Sequence, residues 1–337
     1  MNPLLRAVLR LFAAPRIDMR RDYEKVRKVQ RGLAARPVPR YHFLDTQIQA
    51  ETGSHTIPVR VFEPRTRTRE DVLLFFHGGG WVTGDIESYT PACAHLAEAT
   101  GCVVASVDYR LAPEHPFPAG LEDCVRVAGL LLAEPDRAGV VDASRIVLMG
   151  DSAGGNLVAV VSQVLAERGV PTARRQILLY PVTHWNHDPA SSPFASVREH
   201  GEDYRLTNTE IDEYLELYAP DPATRRTPRV APLEAPAAEL AGQPDTLLIS
   251  AELDLLCDEG EAYGRALRAA GNRVRIHRVP GALHGFITLP TFASALRESY
   301  RVINEFLDGA EAGDSPASAG DTAPDAAPDA GPQEGTP

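Results

Sequence analysis

Lysine is all but missing from this chain of 337 residues: Lys25 and Lys28 are the only two, so arginine supplies 32 of the 34 basic side chains. That bias points to a GC-rich genome and carries no information about activity. Cysteine is scarce too. The four, Cys93, Cys102, Cys124 and Cys257, form no C-x-x-C and no paired metal spacing. With no secretory signal in view they read as reduced thiols of a cytoplasmic protein. No stretch approaches 18 consecutive apolar residues, which excludes a transmembrane helix. The apolar run from Leu4 to Ala14 is broken by Arg6 and Arg10 and lacks a small-residue cleavage pattern, so it does not read as a leader. With 26 glycines and 44% apolar residues, the composition is neither collagen-like nor wholly disordered.

What is present is unevenly distributed. The formal charge of −12 divides into +8 over residues 1–40, −14 over residues 41–308 and −6 over residues 309–337. An acidic middle lacks the positive footprint that a nucleic-acid partner requires. From Gly309 onward there is no Val, Ile, Leu or aromatic residue. Such a segment buries too little apolar surface to offset chain entropy, so 309–337 is expected to be a disordered acidic Pro/Ala-rich tail. Residues 1–44 read as N-terminal cap helices, with Leu4, Leu5, Val8 and Phe12 on one face. A basic amphipathic segment of this kind also fits peripheral membrane contact, although a cap helix is the favoured reading.

The body, 45–308, alternates two periods. Runs of strand character occur at 57–62, 72–76, 102–107, 145–149, 176–180, 245–250 and 273–278, and helical patterns fall at 152–168, at 259–270 and after Pro290. Apolar strands alternating with amphipathic helices predict an α/β fold with a mostly parallel sheet covered on both faces. The polar, Pro-rich crossover from about 183 to 244 departs from the alternation. Within it, Thr207 and Glu210 form a capping-box pattern ahead of Ile211, Tyr214, Leu215 and Tyr218. A cap insertion is therefore expected at about 183–225.

Gly150-Asp151-Ser152-Ala153-Gly154 is a G-x-S-x-G sequence. The pattern is weak alone, but here it follows one expected strand and opens the next helix. A sharp strand-to-helix turn needs flanking glycines and aims the serine hydroxyl out of the sheet edge. His77-Gly78-Gly79-Gly80-Trp81 follows the strand 72–76 and is a much rarer pattern. Its glycines leave backbone N–H groups free to converge on a developing oxyanion. Asp254 and His284 each come just past a strand. In a parallel sheet all these strand ends share one edge, and the order Ser, Asp, His is the one this architecture uses.

Taken with Asp108-Tyr109-Arg110-Leu111-Ala112-Pro113-Glu114, the Asp254…Asp258-Glu259 element and His284-Gly285-Phe286, these motifs resemble the hormone-sensitive-lipase family of α/β-hydrolases, the bacterial family IV esterases. The resemblance spans roughly 70–308. It implies Ser152 as nucleophile, His284 as base, Asp254 as its orienter, and the N–H groups of Gly79, Gly80 and Ala153 as the oxyanion hole. It also implies a cap formed by the N-terminal helices and the 183–225 region. Leu255 and Cys257 depart from the Pro and Arg that the family often has there, which puts local loop geometry in question.

The expected activity is hydrolysis of short- to medium-chain acyl esters, small-molecule substrates, through an acyl-enzyme and with no cofactor or metal. The same machinery serves an amidase, a deacetylase or an acyl transferase, and a hydrolase-fold binding protein without catalysis is the remaining alternative. Trp81, Trp185, Phe194 and Phe286 are candidate substrate-binding residues, with Tyr214 and Tyr218 weighed against ordinary packing. Asp258 and Glu259 read as opening the next helix, and Asp108, Arg110 and Glu114 as a buried ion-pair network shaping the glycine loop. His184 and His187 read as exposed loop histidines rather than metal ligands. Natural substrate, stereoselectivity and oligomeric state are not encoded in any motif.

Overall fold

Strands with no polar face need cover on both sides, and the runs Val72–Phe76, Val103–Val107 and Ile146–Asp151 are buried along their whole length. The computed structural model that shows this describes residues 17–34, 42–202, 205–291 and 293–309. The first N-terminal helix expected from Leu4, Leu5, Val8 and Phe12, the tail from 310 and Phe292 lie outside these residues. Eight strands form one sheet in the order β1-β2-β4-β3-β5-β6-β7-β8. They are β1 (His42–Gln49), β2 (Thr56–Glu63), β3 (Val72–Phe76), β4 (Val103–Val107), β5 (Ile146–Asp151), β6 (Arg175–Leu179), β7 (Asp245–Leu253) and β8 (Val274–Leu283). β2 runs antiparallel to both neighbours, and every other pairing is parallel.

All seven expected strands are present. β1 is the addition, and it begins at His42, ahead of the expected boundary at 45. It is an edge strand whose described side chains are mostly exposed, so its sequence carries none of the apolar alternation that marks a half-buried strand.

Seven helices of eleven or more residues occur among the described residues: α1 (Met19–Ala34), α2 (Thr90–Thr100), α3 (Ala119–Ala133), α4 (Ala153–Glu167), α5 (Asn208–Tyr218), α6 (Cys257–Ala269) and α7 (Ser294–Leu307). The last starts four residues beyond Pro290. Period-2 alternation sorts the sheet's side chains between two layers. Leu74, Phe76, Ile146, Leu148, Leu178 and Leu248 face α3, α4 and α6. Leu73, Phe75, Val147, Met149, Ile177 and Ile249 face α2 and α7. Among the described residues no helix is long and apolar enough to cross a membrane.

Helix α1 is tied to α5 near its start and to the glycine loop farther along. The Met19 N–H donates to Glu213 of α5 at 2.7 Å, and Arg20 pairs with Glu213 and Glu216. Farther along, Arg27 donates to the Val82 carbonyl at 2.7 Å and to that of Ala112 at 2.8 Å, and it pairs with Glu114. Arg31 pairs with Asp85, and the Gln30 side chain accepts from the Gly84 N–H. The α5 N-terminus has the expected capping box, with the Glu210 N–H donating to Thr207 Oγ1 at 3.2 Å and the Thr207 N–H to Glu210 Oε2 at 2.9 Å.

The expected network among Asp108, Arg110 and Glu114 does not form. Each side chain serves a different neighbour, because the turn between them points them apart. Asp108 accepts from the Ile86 N–H, Arg110 grips Asp123 through Nε and Nη2 at 2.9 Å each, and Glu114 takes Arg27.

Among the described glycines, the closest backbone approach joins β3 to the start of α4. A Cβ added at Gly154 would lie 1.9 Å from the Phe76 carbonyl oxygen. At Gly129, inside α3, the nearest atom would be Leu165 Cδ2 at an ordinary 3.5 Å. Gly154→Ala should therefore cost about 3 kcal/mol or more, whereas Gly129→Ala should be neutral or stabilising by up to about 1 kcal/mol through helix propensity. Urea unfolding midpoints of the two variants check this contrast, and equal midpoints would contradict it.

Candidate active site

Three strand ends and one strand-to-helix turn build the site. The register pairs Leu253 of β7 with Leu283 of β8 across a bulge. The residues that follow, Asp254 and His284, are thereby set side by side. His284 Nδ1 lies 2.7 Å from Asp254 Oδ2, and the other carboxylate oxygen accepts from the Leu256 N–H at 3.1 Å. Leu255 and Cys257, the two departures from the family pattern, are buried and leave this turn intact.

Ser152 follows β5 directly and caps α4 with φ +55° and ψ −120°. A non-glycine residue held there stores local strain. The turn persists because the Ser152 N–H donates to the Leu179 carbonyl at 2.9 Å and the Ser152 carbonyl accepts from Asn156 at 3.0 Å. The result places Ser152 Oγ 2.9 Å from His284 Nε2. Exposure falls from 9% at His284 and 7% at Ser152 to 1% at Asp254, so hydroxyl and imidazole reach the cavity while the carboxylate stays dry.

The glycine loop after β3 is held by a neighbour of the serine. Asp151 accepts from the Gly78 N–H at 2.8 Å, from the Tyr89 hydroxyl at 3.1 Å and from the Tyr180 hydroxyl at 3.3 Å. Full burial pushes its carboxyl pKa up, opposed by the Gly78 N–H. Among the described residues the N–H groups of Gly79 and Gly80 have no acceptor, and that of Ala153, in the first turn of α4, has none within its own helix. Gly80 has φ +61°, and a Cβ there would sit 2.2 Å from Tyr214 Cγ. The ring of α5 thus lies directly over the loop.

Ser152, His284, Gly79 and Gly80 open into a cavity of about 480 Å³. Its other walls include Leu33 and Ala34 of α1, Ile211 and Tyr214 of α5 with Leu206 just before it, and Ile287 and Leu289 after β8.

None of the four aromatic residues expected to bind substrate lines this cavity. Trp81 is buried and stacks on Tyr218, with ring centroids 4.4 Å apart and planes within 5°. It pins the glycine loop to the cap helix. Phe286 packs edge-on against Tyr180 in the core, Phe194 packs edge-on against His184, and Trp185 carries Arg226 over its face. Each has a packing partner that outcompetes the open cavity. Tyr180 was not marked by any motif. It bridges Asp151 and the Ile287 N–H and touches the His284 ring edge-on. Its place just past β6, on the shared sheet edge, was the signal available.

His184 and His187 are buried, not exposed. Glu259 is the reason: its Oε1 accepts from the Thr183 and His184 N–H groups and its Oε2 lies 2.8 Å from His187 Nε2. Glu259 thus opens α6 and at the same time anchors the start of the cap crossover. Burial disfavours the charged His187 ring, but contact with the Glu259 carboxylate outweighs it and raises the imidazole pKa above 6.5. A raised folded-state value contributes stability that is fully present below about pH 6.5 and is lost as pH climbs through that value. Urea midpoints should accordingly fall above pH 6.5, and His187→Gln should flatten the profile. A variant profile as steep as that of the wild type would contradict this.

Comparison with known proteins gives a concordant picture. The family model described as alpha/beta hydrolase fold matches residues 73–288. Ethyl acetate hydrolase of Pseudomonas putida is 32% identical over 307 residues, covering 89% of this chain and 92% of the relative. The carboxylic ester hydrolase LipN of Mycobacterium tuberculosis is 35% identical, covering 86% and 77%. The solved hyperthermophilic esterase from the archaeon Pyrobaculum calidifontis superposes with a TM-score of 0.78 at 34% identity, covering 92% of this chain and 98% of that one.

Proposed function

Since this chain belongs to the hormone-sensitive-lipase group of the alpha/beta hydrolase fold family and is a carboxylesterase-like hydrolase, we propose that it cleaves short- to medium-chain acyl esters through Ser152, His284 and Asp254. The observation that carries this reading is the continuous hydrogen-bonded chain from Ser152 Oγ through the His284 ring to Asp254 Oδ2, with steps of 2.9 and 2.7 Å.

A serine hydroxyl is a poor nucleophile until a base takes its proton. In this reading Ser152 Oγ attacks the ester carbonyl while its proton passes to His284 Nε2. Asp254 holds the Nδ1–H tautomer and stabilises the imidazolium that forms. The carbonyl oxygen becomes an oxyanion facing the N–H groups of Gly79, Gly80 and Ala153, each such donor being worth about 3 kcal/mol. Collapse of this intermediate expels the alcohol, which takes the proton from His284. Water then repeats the sequence on the acyl-enzyme and releases the carboxylic acid.

The cavity volume, with walls that mix aliphatic side chains such as Leu206, Ile211 and Ile287 with polar ones such as Thr83, Ser88 and His95, supports a small acyl substrate. The 183–225 region and the helix Met19–Ala34 act in this reading as the cap over the acyl site, and the protein works in the cytoplasm.

A panel of p-nitrophenyl esters from acetate to dodecanoate tests the proposal. The wild type should prefer the shorter chains, and Ser152→Ala should lower kcat by roughly 10⁴-fold or more. Asp254→Asn should cost about 10⁴ by leaving His284 in the wrong tautomer. Equal turnover by wild type and Ser152→Ala would refute the assignment, and acetate release from amides without ester turnover would favour an amidase.

A further inference from the structure

The cavity carries a charge that hydrolysis of a neutral acyl ester does not use. Among the described residues, Arg205 is the one arginine or lysine lining it. The residue is exposed at the rim, where Nη1 donates to the Gly285 carbonyl and Nη2 to the Thr288 hydroxyl, each at 3.1 Å. A Cβ at Gly285 would meet the guanidinium carbon at 3.3 Å, so the cation rests against the backbone one residue past His284.

Both acceptors are neutral, and no carboxylate among the described residues pairs with this guanidinium. The arginines that brace the cap and the glycine loop differ in this respect. Arg20 holds Glu213, Arg27 holds Glu114, Arg31 holds Asp85 and Arg110 holds Asp123. Among the described residues the one carboxylate lining the cavity, Asp151, is buried and already engaged by Gly78, Tyr89 and Tyr180, so it does not neutralise Arg205. A guanidinium has five N–H donors in a planar fork. Two are used here to fix its orientation, and among the described residues no acceptor engages the rest. That fork matches a carboxylate in two-point contact.

We propose that Arg205 forms an anion subsite of this cavity, selecting esters that carry a carboxylate beyond the scissile bond, on the acyl or the alcohol part. The inference rests on the ester-hydrolase reading of Ser152. It adds no chemical step: the bond broken is still the ester, and the carboxylate serves only to place it.

Two substrate pairs distinguish the sources of the anion. 4-Nitrophenyl hydrogen adipate against 4-nitrophenyl hexanoate places it on the acyl side, and 4-acetoxybenzoate against 4-acetoxybenzamide places it on the alcohol side. The readout is the ratio of kcat/KM for the charged over the neutral member, in wild type, Arg205→Gln and Arg205→Lys. In at least one pair the ratio should fall roughly tenfold in Arg205→Gln and by less in Arg205→Lys, which keeps the charge and loses the two-point fork. Because the ratio is internal to each preparation, partial misfolding does not alter it. If Arg205 only steadies the Gly285 loop, both members fall together. Ratios unchanged in both pairs therefore overturn the subsite. Failure of the wild type to turn over either neutral ester would instead overturn the hydrolase reading on which it stands.

Discussion

The contact between the Phe76 carbonyl and the Cα of Gly154 is the constraint on which the rest of the site depends. It forces the first turn of the helix after β5 hard against the end of β3, with no room for a side chain. That approach bends the chain sharply enough to lift Ser152 into its positive-φ conformation. It also brings the glycine loop that follows Phe76 alongside the same helix N-terminus. The Ser152 hydroxyl and the loop N–H groups are thus positioned by one piece of close packing rather than by separate devices. Asp151 secures the arrangement from below, since its carboxylate holds the loop through Gly78 and reaches Tyr89 and Tyr180 beside it. A strained residue persists only where its surroundings over-determine it, and here they do.

The second arm of the site has a different origin. Asp254 and His284 come from strands that pair directly, and the bulge near Ala251 and Leu253 sets the final register as Leu253 against Leu283. A one-residue slip would turn the following side chains to opposite faces of the sheet. The geometry of the dyad is therefore a consequence of backbone hydrogen bonding, and the Leu256 N–H that holds Asp254 belongs to the same turn. Substitution at Leu255 and Cys257 is tolerated because what acts there is the backbone.

Helices Met19–Ala34 and Asn208–Tyr218 are joined to the loops at the sheet edge by polar and aromatic contacts of several kinds. The helix Met19–Ala34 touches the cap helix through Glu213 and Glu216 and the glycine loop through Val82, Gly84 and Asp85. The Trp81–Tyr218 stack repeats that link in the core, and Tyr214 lies over Gly80. An aromatic pair of this kind adds about 0.5–1.5 kcal/mol beyond its burial. These contacts explain why Trp81 and Tyr218 are structural, while the cavity walls mix aliphatic with polar side chains.

Local patterns in the sequence were enough for the strand and helix alternation, the α/β class, the capping box at Thr207 and the order of Ser152, Asp254 and His284. The alternation, the class and the capping box are written in residues close in the chain, where periodicity or a turn requirement acts directly, and the order of the three site residues follows from the strand that each comes after. Tertiary structure alone decided the rest. The edge strand His42–Gln49 has no apolar alternation, because its partner supplies hydrogen bonds rather than burial. His184 and His187 are buried because Glu259, more than seventy residues away, accepts from them. Trp81 and Phe286 turn away from the cavity toward Tyr218 and Tyr180, partners distant in sequence, and Arg205 reaches its rim only because β8 delivers Gly285 there. Which side chains enclose a cavity depends on how remote segments pack, and no local period records that.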